Sequence, residues 1–410
     1  MGYTAFLREN DRFLAFGFML ALLSSLGQTF LIGYFGAPIR TAFDLSSGEY
    51  GSIYSLATVI SGLSLVWLGR SVDRFDLRHL TVAILLGVAA GALLLAGAVN
   101  LIMLGAAFLL LRVFGQGLLM HTAQTTMGRY FGADRGKAVS VATLGLPVAE
   151  AILPTSVVLL MGIVGWRGTW LVMALVVLVG ALPLALFLLR GHAQRRQALE
   201  GQEAERDDES RDVTGGGSWR RADVIRDPRF YGLLPAITAP GFIVTALFFH
   251  QDALANTLGW EKSWVAASFV FFAGAHILAL VLAGPVVDRL GARRLMAGFL
   301  LPMTLALLVL VFMDSPWGAP LYLGLAGLSM GSAATLMGSI WPALYGTGHL
   351  GAIRALVHAV MVLVTAVAPG GTGAAMDAGV SLITIAATLA GWNVLAAMLA
   401  VASLWRSPAV

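Results

Sequence analysis

The sequence predicts an all-α membrane protein, with twelve transmembrane helices in two pseudo-symmetric six-helix bundles. Three observations carry that prediction. The first is composition: 58% of the 410 residues are hydrophobic and 12% are charged, with a mean hydropathy of +0.83, whereas a soluble domain carries about 25% charge. The second is apolar runs of about 20 residues that recur along the chain, each long enough to cross a ~30 Å hydrocarbon layer as a helix. They number about twelve, six per half. The alternation of an outward-facing barrel strand is absent, which leaves helices as the spanning element. The third is duplication: Gly69-Arg70-Ser71-Val72-Asp73-Arg74-Phe75-Asp76-Leu77-Arg78 returns as Gly284-Pro285-Val286-Val287-Asp288-Arg289-Leu290-Gly291-Ala292-Arg293, 215 positions on. The same offset of 215 pairs Tyr130 with Tyr345, Gly136 with Gly351 and Pro154 with Pro369, as a repeated half would.

Along the chain, helix 1 is expected from about Phe13 to Ile39, with Gln28 in its middle. Helix 2 begins after Asp44–Gly48, where Ser46 and Ser47 can cap it, and ends at the first signature. Helices 3 and 4 meet at an outer turn near Asn100, and helix 4 carries Arg112, Gln116, His121 and Gln124. Helix 5 starts at Arg135-Gly136-Lys137 and holds Pro147, Glu150 and Pro154; helix 6 starts at Gly165-Trp166-Arg167-Gly168. Residues 191–227 are rich in charge and include Gly215-Gly216-Gly217, so they are expected to be a solvated cytoplasmic linker between bundles 1–190 and 228–410. Helix 7 follows with His250, Gln251 and Asp252 towards its outer end. Helix 8 carries His276, and helix 11 carries Arg354 and His358.

Charge sets the expected orientation. The pI is about 9.6, and alternate loops hold Arg70, Arg74, Arg78, then Arg129, Arg135, Lys137, then Arg289, Arg293, Arg294, with Arg8, Arg12 and Arg406 at the ends. The opposite loops offer Arg40, Arg167 and Lys262. Basic loops stay in the cytoplasm, so both termini are expected there, in the cell's inner membrane. The first apolar run continues past the length of a signal core, which argues against a cleaved signal. Cysteine is absent, which removes disulfides and thiolate metal sites. No Walker sequence or nucleophile–base pattern stands out, so an enzyme is not expected and no cofactor is implied. The basic residues are spread over membrane-edge loops, which speaks against nucleic acid. The expected partners are a small-molecule substrate, protons and the bilayer, and a monomer suffices.

On these residues the chain resembles the major facilitator superfamily over its whole length, which implies the two-bundle major facilitator fold. The family's hallmark between helices 2 and 3 is matched by Gly69, Asp73, Arg74 and Arg78, and its counterpart between helices 8 and 9 by Gly284, Asp288, Arg289, Gly291 and Arg293. The resemblance implies conformational gating roles for these groups, since Asp against Arg from a neighbouring helix is a breakable two-state contact. The plainer alternative is that the arginines only anchor topology. A finer resemblance is to the monocarboxylate and oxalate:formate branch, through Arg135, Gly136, Pro154 and Gly165–Gly168. Two departures are His276 on helix 8, which lacks that branch's carboxylate-binding Arg, and Glu150 where the branch has Gly. Arg112 opens Arg-Val-Phe-Gly-Gln-Gly, similar to a family helix 4 motif tied to proton coupling.

Intramembrane polar residues are expected to carry the function, because a charge at mid-bilayer costs at least ~2.5–3.5 kcal/mol. Arg112 and Glu150 both fall near the midplane at 1.5 Å rise per residue. The functional reading makes Arg112 the anion-binding charge and Glu150 the proton carrier; the alternative is a structural bridge between them. Desolvation and a nearby cation act oppositely on a buried carboxyl's proton, so substrate on Arg112 would release Glu150 to take one up. His121, His250, His276 and His358, with Gln28, Gln124, Gln251 and Tyr34, are further candidates for the substrate path. No two of the histidines have i, i+3 or i, i+4 spacing, so no preformed metal site is expected. The expected activity is secondary transport of a small organic anion by alternating access, coupled to protons. Proton-driven efflux of drug-like compounds and uptake of a metal chelate are the alternatives, and Gly145-Leu146-Pro147 on helix 5 departs from the efflux pattern. A non-transporting sensor would need a folded appendage that the linker is too short and polar to form.

Overall fold

A computed structural model describes residues 3–197, 219–296, 298–346 and 349–405. The described residues are helical, with no strand among them. Residues 198–218 of the expected linker, Arg406 and the side chain of Asp73 lie outside what is described.

Among the described residues, nine helices are long and apolar enough to cross a membrane. One of them, Arg135–Leu188, has 54 residues and would reach roughly 81 Å at 1.5 Å per residue, enough for two crossings. Its break is Gly165 (φ 70°, ψ 174°), a conformation that glycine tolerates best, at the expected start of helix 6. A bent pair, Asp11–Gly27 and Thr29–Phe43, meets at 44° and forms another span. The shorter apolar helix Leu301–Phe312 completes twelve. Outward-facing apolar side chains such as Leu56 (62% exposed) and Val179 (67% exposed) need lipid rather than water beside them.

Local chemistry sets where the helices begin. Ser46 and Glu49 form a capping box: Ser46 Oγ accepts the Glu49 N–H at 3.1 Å and Glu49 Oε2 accepts the Ser46 N–H at 2.9 Å, which satisfies two donors at the start of Ser47–Leu68. Asn100 accepts the Met103 N–H at 2.9 Å and opens Leu101–Leu110. Asp227 accepts the Arg229 N–H at 3.0 Å ahead of Pro228–Phe249, with Pro at its first position, where a missing N–H costs nothing. The two signature copies start their next helices differently. Asp76 caps Leu77–Ala96 by accepting the Arg78 N–H at 2.9 Å, while Gly291, 215 positions on, precedes Ala292–Leu295 with φ 80°. One uses a side-chain acceptor and the other a backbone only glycine adopts readily.

Two helices depart from the expectation of continuity. Helix 1 runs as Asp11–Leu23, tightens to a 3-10 turn at Ser24–Gly27 and breaks at Gln28 (ψ 148°) before Thr29–Ile32. Helix 4 widens to a π-helix over Leu111–Leu119. The two distortions meet at Gly27: a Cβ there would lie 2.1 Å from the Leu111 carbonyl oxygen and 2.5 Å from the Gln116 nitrogen. Backbones that close require glycine, and a ladder opened by insertion bends.

Contacts group the chain into two compact units. The first comprises Met1–Gln28, Leu63–Ala149 and Arg167–Gly216; the second comprises Thr29–Gly62, Glu150–Trp166 and Gly217–Val410. The core of the first includes Phe16, Phe108 and Trp170, all buried. That of the second includes Tyr50, Tyr54 and Phe249, whose rings lie 4.8 and 4.6 Å apart for the two tyrosines against Phe249. In the second unit the Ser47–Leu68 helix crosses Leu350–Asp377 so closely that a Cβ on Gly51 would sit 2.4 Å from the Pro369 carbonyl oxygen.

Candidate functional site

In the second unit the structure brings two expected residues together. Glu150 is buried within the Gly145–Leu175 helix, and His276 lies midway along Lys262–Leu290. Glu150 Oε2 stands 3.2 Å from His276 Nδ1, with side chains 9% and 12% exposed. A carboxylate oxygen accepts a hydrogen bond from an imidazole N–H, and the contact is an ion pair only when the ring is protonated.

Arg112 belongs to the first unit. It is 7% exposed, sits at the start of the π-helical stretch, and its Nη1 donates to the Gly27 carbonyl at 3.3 Å. The break in helix 1 supplies that acceptor, because a regular helix would have used the carbonyl itself. Gln28 follows directly, half-buried in extended backbone, its N–H donated to the Ser25 carbonyl at 3.0 Å.

The remaining candidates divide by what they touch. His250 and Gln251 are buried, and both are spent on backbone of the second unit: His250 Nε2 lies 2.9 Å from the Pro369 carbonyl, and Gln251 Nε2 donates to the Phe30 carbonyl at 2.8 Å. Pro369 lies inside the Leu350–Asp377 helix. These contacts tie helices together, and the Gln251 amide oxygen is buried with no hydrogen-bond partner among the described residues. Tyr34 is buried edge-on against Phe269, ring centroids 6.0 Å apart. His121 is exposed and its Nε2 lies 3.2 Å from the Gly69 carbonyl, which joins helix 4 to the first signature. Gln124 and His358 are exposed on Met120–Tyr130 and Leu350–Asp377.

Among the gating candidates, Arg74 and Arg78 are exposed beside Asp76, and Asp288 and Arg289 are exposed while Arg293 is half-buried. Asp76 itself pairs with Arg196 Nη1 at 3.6 Å and His79 Nδ1 at 3.5 Å. Partial burial pushes the Asp76 carboxyl up, but the N–H groups of Arg78 and His79 and the neighbouring His192 and His79 hold it below the usual carboxylate range.

A contact that the sequence did not disclose lies in the second unit. Asp377, at the end of Leu350–Asp377, accepts the Ser47 N–H at 3.1 Å and the Gly48 N–H at 2.8 Å. Arg40 donates to Ser47 Oγ at 2.9 Å, and Ser55 Oγ accepts the Gly370 N–H at 3.1 Å. A carboxylate on the free amides of a helix N-terminus satisfies orphan donors and complements the dipole. The partners are 329 and 330 residues apart, so no sequence spacing signals them. Asp252, also in this unit, is ion-paired with Lys262. Among the described residues, no three His, Cys, Asp or Glu gather as a metal site would require.

Similar proteins fit this architecture. Residues 17–369 match the Major Facilitator Superfamily. Monocarboxylate transporter 11 of Homo sapiens is 28% identical over 370 residues, spanning 85% of this chain and 72% of that protein. Among solved structures, a D-xylose-proton symporter superposes with a TM-score of 0.66 at 16% identity, covering 97% of each chain. A bacterial homolog of the human lysosomal transporter Spinster, in an inward-facing and occupied conformation, reaches a TM-score of 0.64 at 13% identity, covering 99% of this chain and 94% of that one. At such identities the solved structures show the fold alone. With a match that spans most of its length, twelve apolar helical segments and a duplicated loop signature, the chain belongs to the Major Facilitator Superfamily and is a multi-pass membrane transporter rather than an enzyme.

Proposed function

We propose that the protein moves a small organic anion of the monocarboxylate class across the cytoplasmic (inner) membrane by alternating access, coupled to protons, with both termini in the cytoplasm. The observation that carries this reading is the buried Glu150–His276 contact of 3.2 Å. With no shared proton the pair bears one negative charge, with one it is neutral, and with two it is positive. A carboxylate substrate is repelled by the first state and attracted by the last. Proton uptake and anion binding therefore favour each other, and the loaded pair crosses without a net buried charge, whose cost would be at least ~2.5–3.5 kcal/mol. His276 thereby takes the part of a carboxylate-binding cation on helix 8, and Glu150 takes that of the proton carrier. Similarity to monocarboxylate transporter 11 along 85% of the chain supports the substrate class. Alternating movement of residues 1–190 and 228–410 about the 191–227 linker would expose the pair to each side in turn, and a monomer suffices for it.

Proteoliposomes loaded with a pH-sensitive dye test the proposal. Addition of a lactate-like monocarboxylate outside is expected to acidify the lumen, while dicarboxylate, aromatic and metal-chelate compounds are not. Glu150→Gln is expected to abolish proton-driven accumulation and to preserve exchange of labelled for unlabelled substrate. Unchanged accumulation in that variant, or no proton movement with any monocarboxylate, would overturn the reading.

A further inference from the structure

A second charged site lies in the first unit. Segments Glu9–Phe13 and Leu188–Arg195 enclose a cavity of about 350 Å³ whose wall carries Arg12, Arg190 and Arg195 together with Glu9 and Asp11. Its place in the membrane is fixed by its neighbours. Leu188 ends the apolar Arg135–Leu188 span, and just before it Phe187 and Leu184 are 44% and 47% exposed on the side that must face acyl chains. The cavity is therefore at headgroup depth, on the membrane face that carries the N-terminal segment.

The arginines are held by rings rather than by acids. Arg12 and Arg190 both stand over the Phe187 ring, their Cζ atoms 5.6 and 5.0 Å from its centroid. Arg195 stands 4.6 Å over Phe13. Cation–π stacking fixes a guanidinium by its face and leaves its in-plane N–H groups for a phosphate. Among the described residues, none of the three closes an ion pair within the protein. Asp11 is nevertheless near enough to act on Arg195 electrostatically, and one of its oxygens accepts the Arg12 N–H at 2.6 Å.

A wall with both signs of charge selects among ligands. A purely anionic headgroup would answer the arginines and leave two carboxylates facing more negative charge. A trimethylammonium headgroup has no N–H to donate to them. A primary ammonium joined to a phosphate answers both sets, with three donors for Glu9 and Asp11. We propose that this cavity binds the headgroup of a primary-amine phospholipid, its phosphate between Arg12 and Arg190, its ammonium towards Glu9 and Asp11, and its acyl chains along Phe187. The alternative is that these arginines only snorkel to the interface and take any lipid.

The test uses the full-length protein purified in detergent, with phospholipids of identical chains added back, read by thermal unfolding and by native mass spectrometry of retained lipid. Phosphatidylethanolamine is expected to raise the midpoint by about 2–4 °C and to leave one retained lipid; phosphatidylcholine and phosphatidylglycerol are expected to do less. An Arg12→Gln, Arg190→Gln double variant is expected to lose the shift, and a Glu9→Gln, Asp11→Asn double variant to lose the preference over phosphatidylcholine. If either variant fails to fold, stepwise N-methylation of the headgroup on the wild-type protein gives the same reading, since each methyl removes a donor. Equal shifts from phosphatidylethanolamine and phosphatidylcholine, or a larger one from phosphatidylglycerol, would overturn the proposal. So would an equal shift from soluble phosphoethanolamine, which would assign the cavity to a water-soluble ligand.

Discussion

Each of the two compact units buries a charged centre, and they hold it in opposite ways. In the first, Arg112 leans on the Gly27 carbonyl at 3.3 Å, so a guanidinium that does not titrate meets an acceptor that does not titrate either. Its charge is fixed by covalent chemistry and its position by two distorted helices. In the second, Glu150 meets His276 at 3.2 Å, a carboxyl against an imidazole, side chains of the kind that can exchange a proton. A permanent charge can attract an anion but cannot report a proton gradient; an exchangeable pair can do both.

The contrast breaks most sharply if the exchangeable centre is made permanent. His276→Arg is expected to cut proton-driven accumulation by about 5- to 150-fold, the range of a 1–3 kcal/mol coupling, while substrate exchange continues. Accumulation that still follows the pH gradient in proteoliposomes would show that the pair is not the coupling element. The fixed centre is broken through its backbone support. Gly27→Ala places a methyl 2.1 Å from the Leu111 carbonyl oxygen and is expected to cost about 1–3 kcal/mol, read as a lower thermal midpoint in detergent. Gly274→Ala, in the helix that bears His276 and with nothing within 4 Å of the added methyl, is expected to be neutral or to stabilise by up to about 1 kcal/mol through helix propensity. Equal behaviour of the two variants would mean that the close crossing at Gly27 does not constrain Arg112.

A smaller effect is expected at the Asp377 cap. Asp377→Ala removes the acceptor for Ser47 and Gly48 and is expected to cost about 0.5–1 kcal/mol, at the low end because the carboxylate is largely in contact with solvent. An unchanged midpoint would return this contact to a passive role.

The smallest effect belongs to His192, in the first unit outside the spans. Burial pushes its imidazole below the ordinary 6.5, with Arg196 and Arg195 acting the same way and Asp76 against them. The unfolded chain therefore takes up a proton before the folded one does. Stability is complete above 6.5 and falls as pH drops from there towards the lowered folded value. His192→Gln, which cannot be protonated, is expected to flatten the acid limb of the thermal midpoint between about pH 7 and about pH 5; an unchanged slope would assign it to other groups.

How far the sequence could be read follows from what each feature depends on. The Gly165 break, the Ser46 cap and the Asn100 turn were legible because a residue and its near neighbours determine them. Glu150 and His276 were each legible as functional candidates, since polar groups in an apolar run need a partner, but their pairing across 126 residues was not. The sequence suggested Arg112 as a neighbour for Glu150 from chain proximity; the structure shows a contact for each, His276 at 3.2 Å from Glu150 and the Gly27 carbonyl at 3.3 Å from Arg112. His250 and Gln251 were legible as buried polar groups by their type and depth, but not their contacts with the Pro369 and Phe30 carbonyls. Helix 1 looked continuous because no proline marks Gln28; its break lies against the π-helical stretch Leu111–Leu119, which packs on Gly27 from a distant part of the chain.

The sequence by itself determined that the chain spans a membrane as helices, that its halves repeat, and which polar residues are too costly to bury without purpose. Those follow from transfer free energies and periodicity, which are sums over single residues and short windows. Only the tertiary structure decided which of those residues stand within hydrogen-bond distance of one another, which contact a backbone carbonyl, and that Asp377 caps a helix 330 residues away. Such choices depend on distances of a few ångströms between segments that the chain brings together only when it packs, and hydrogen bonds are lost within that range.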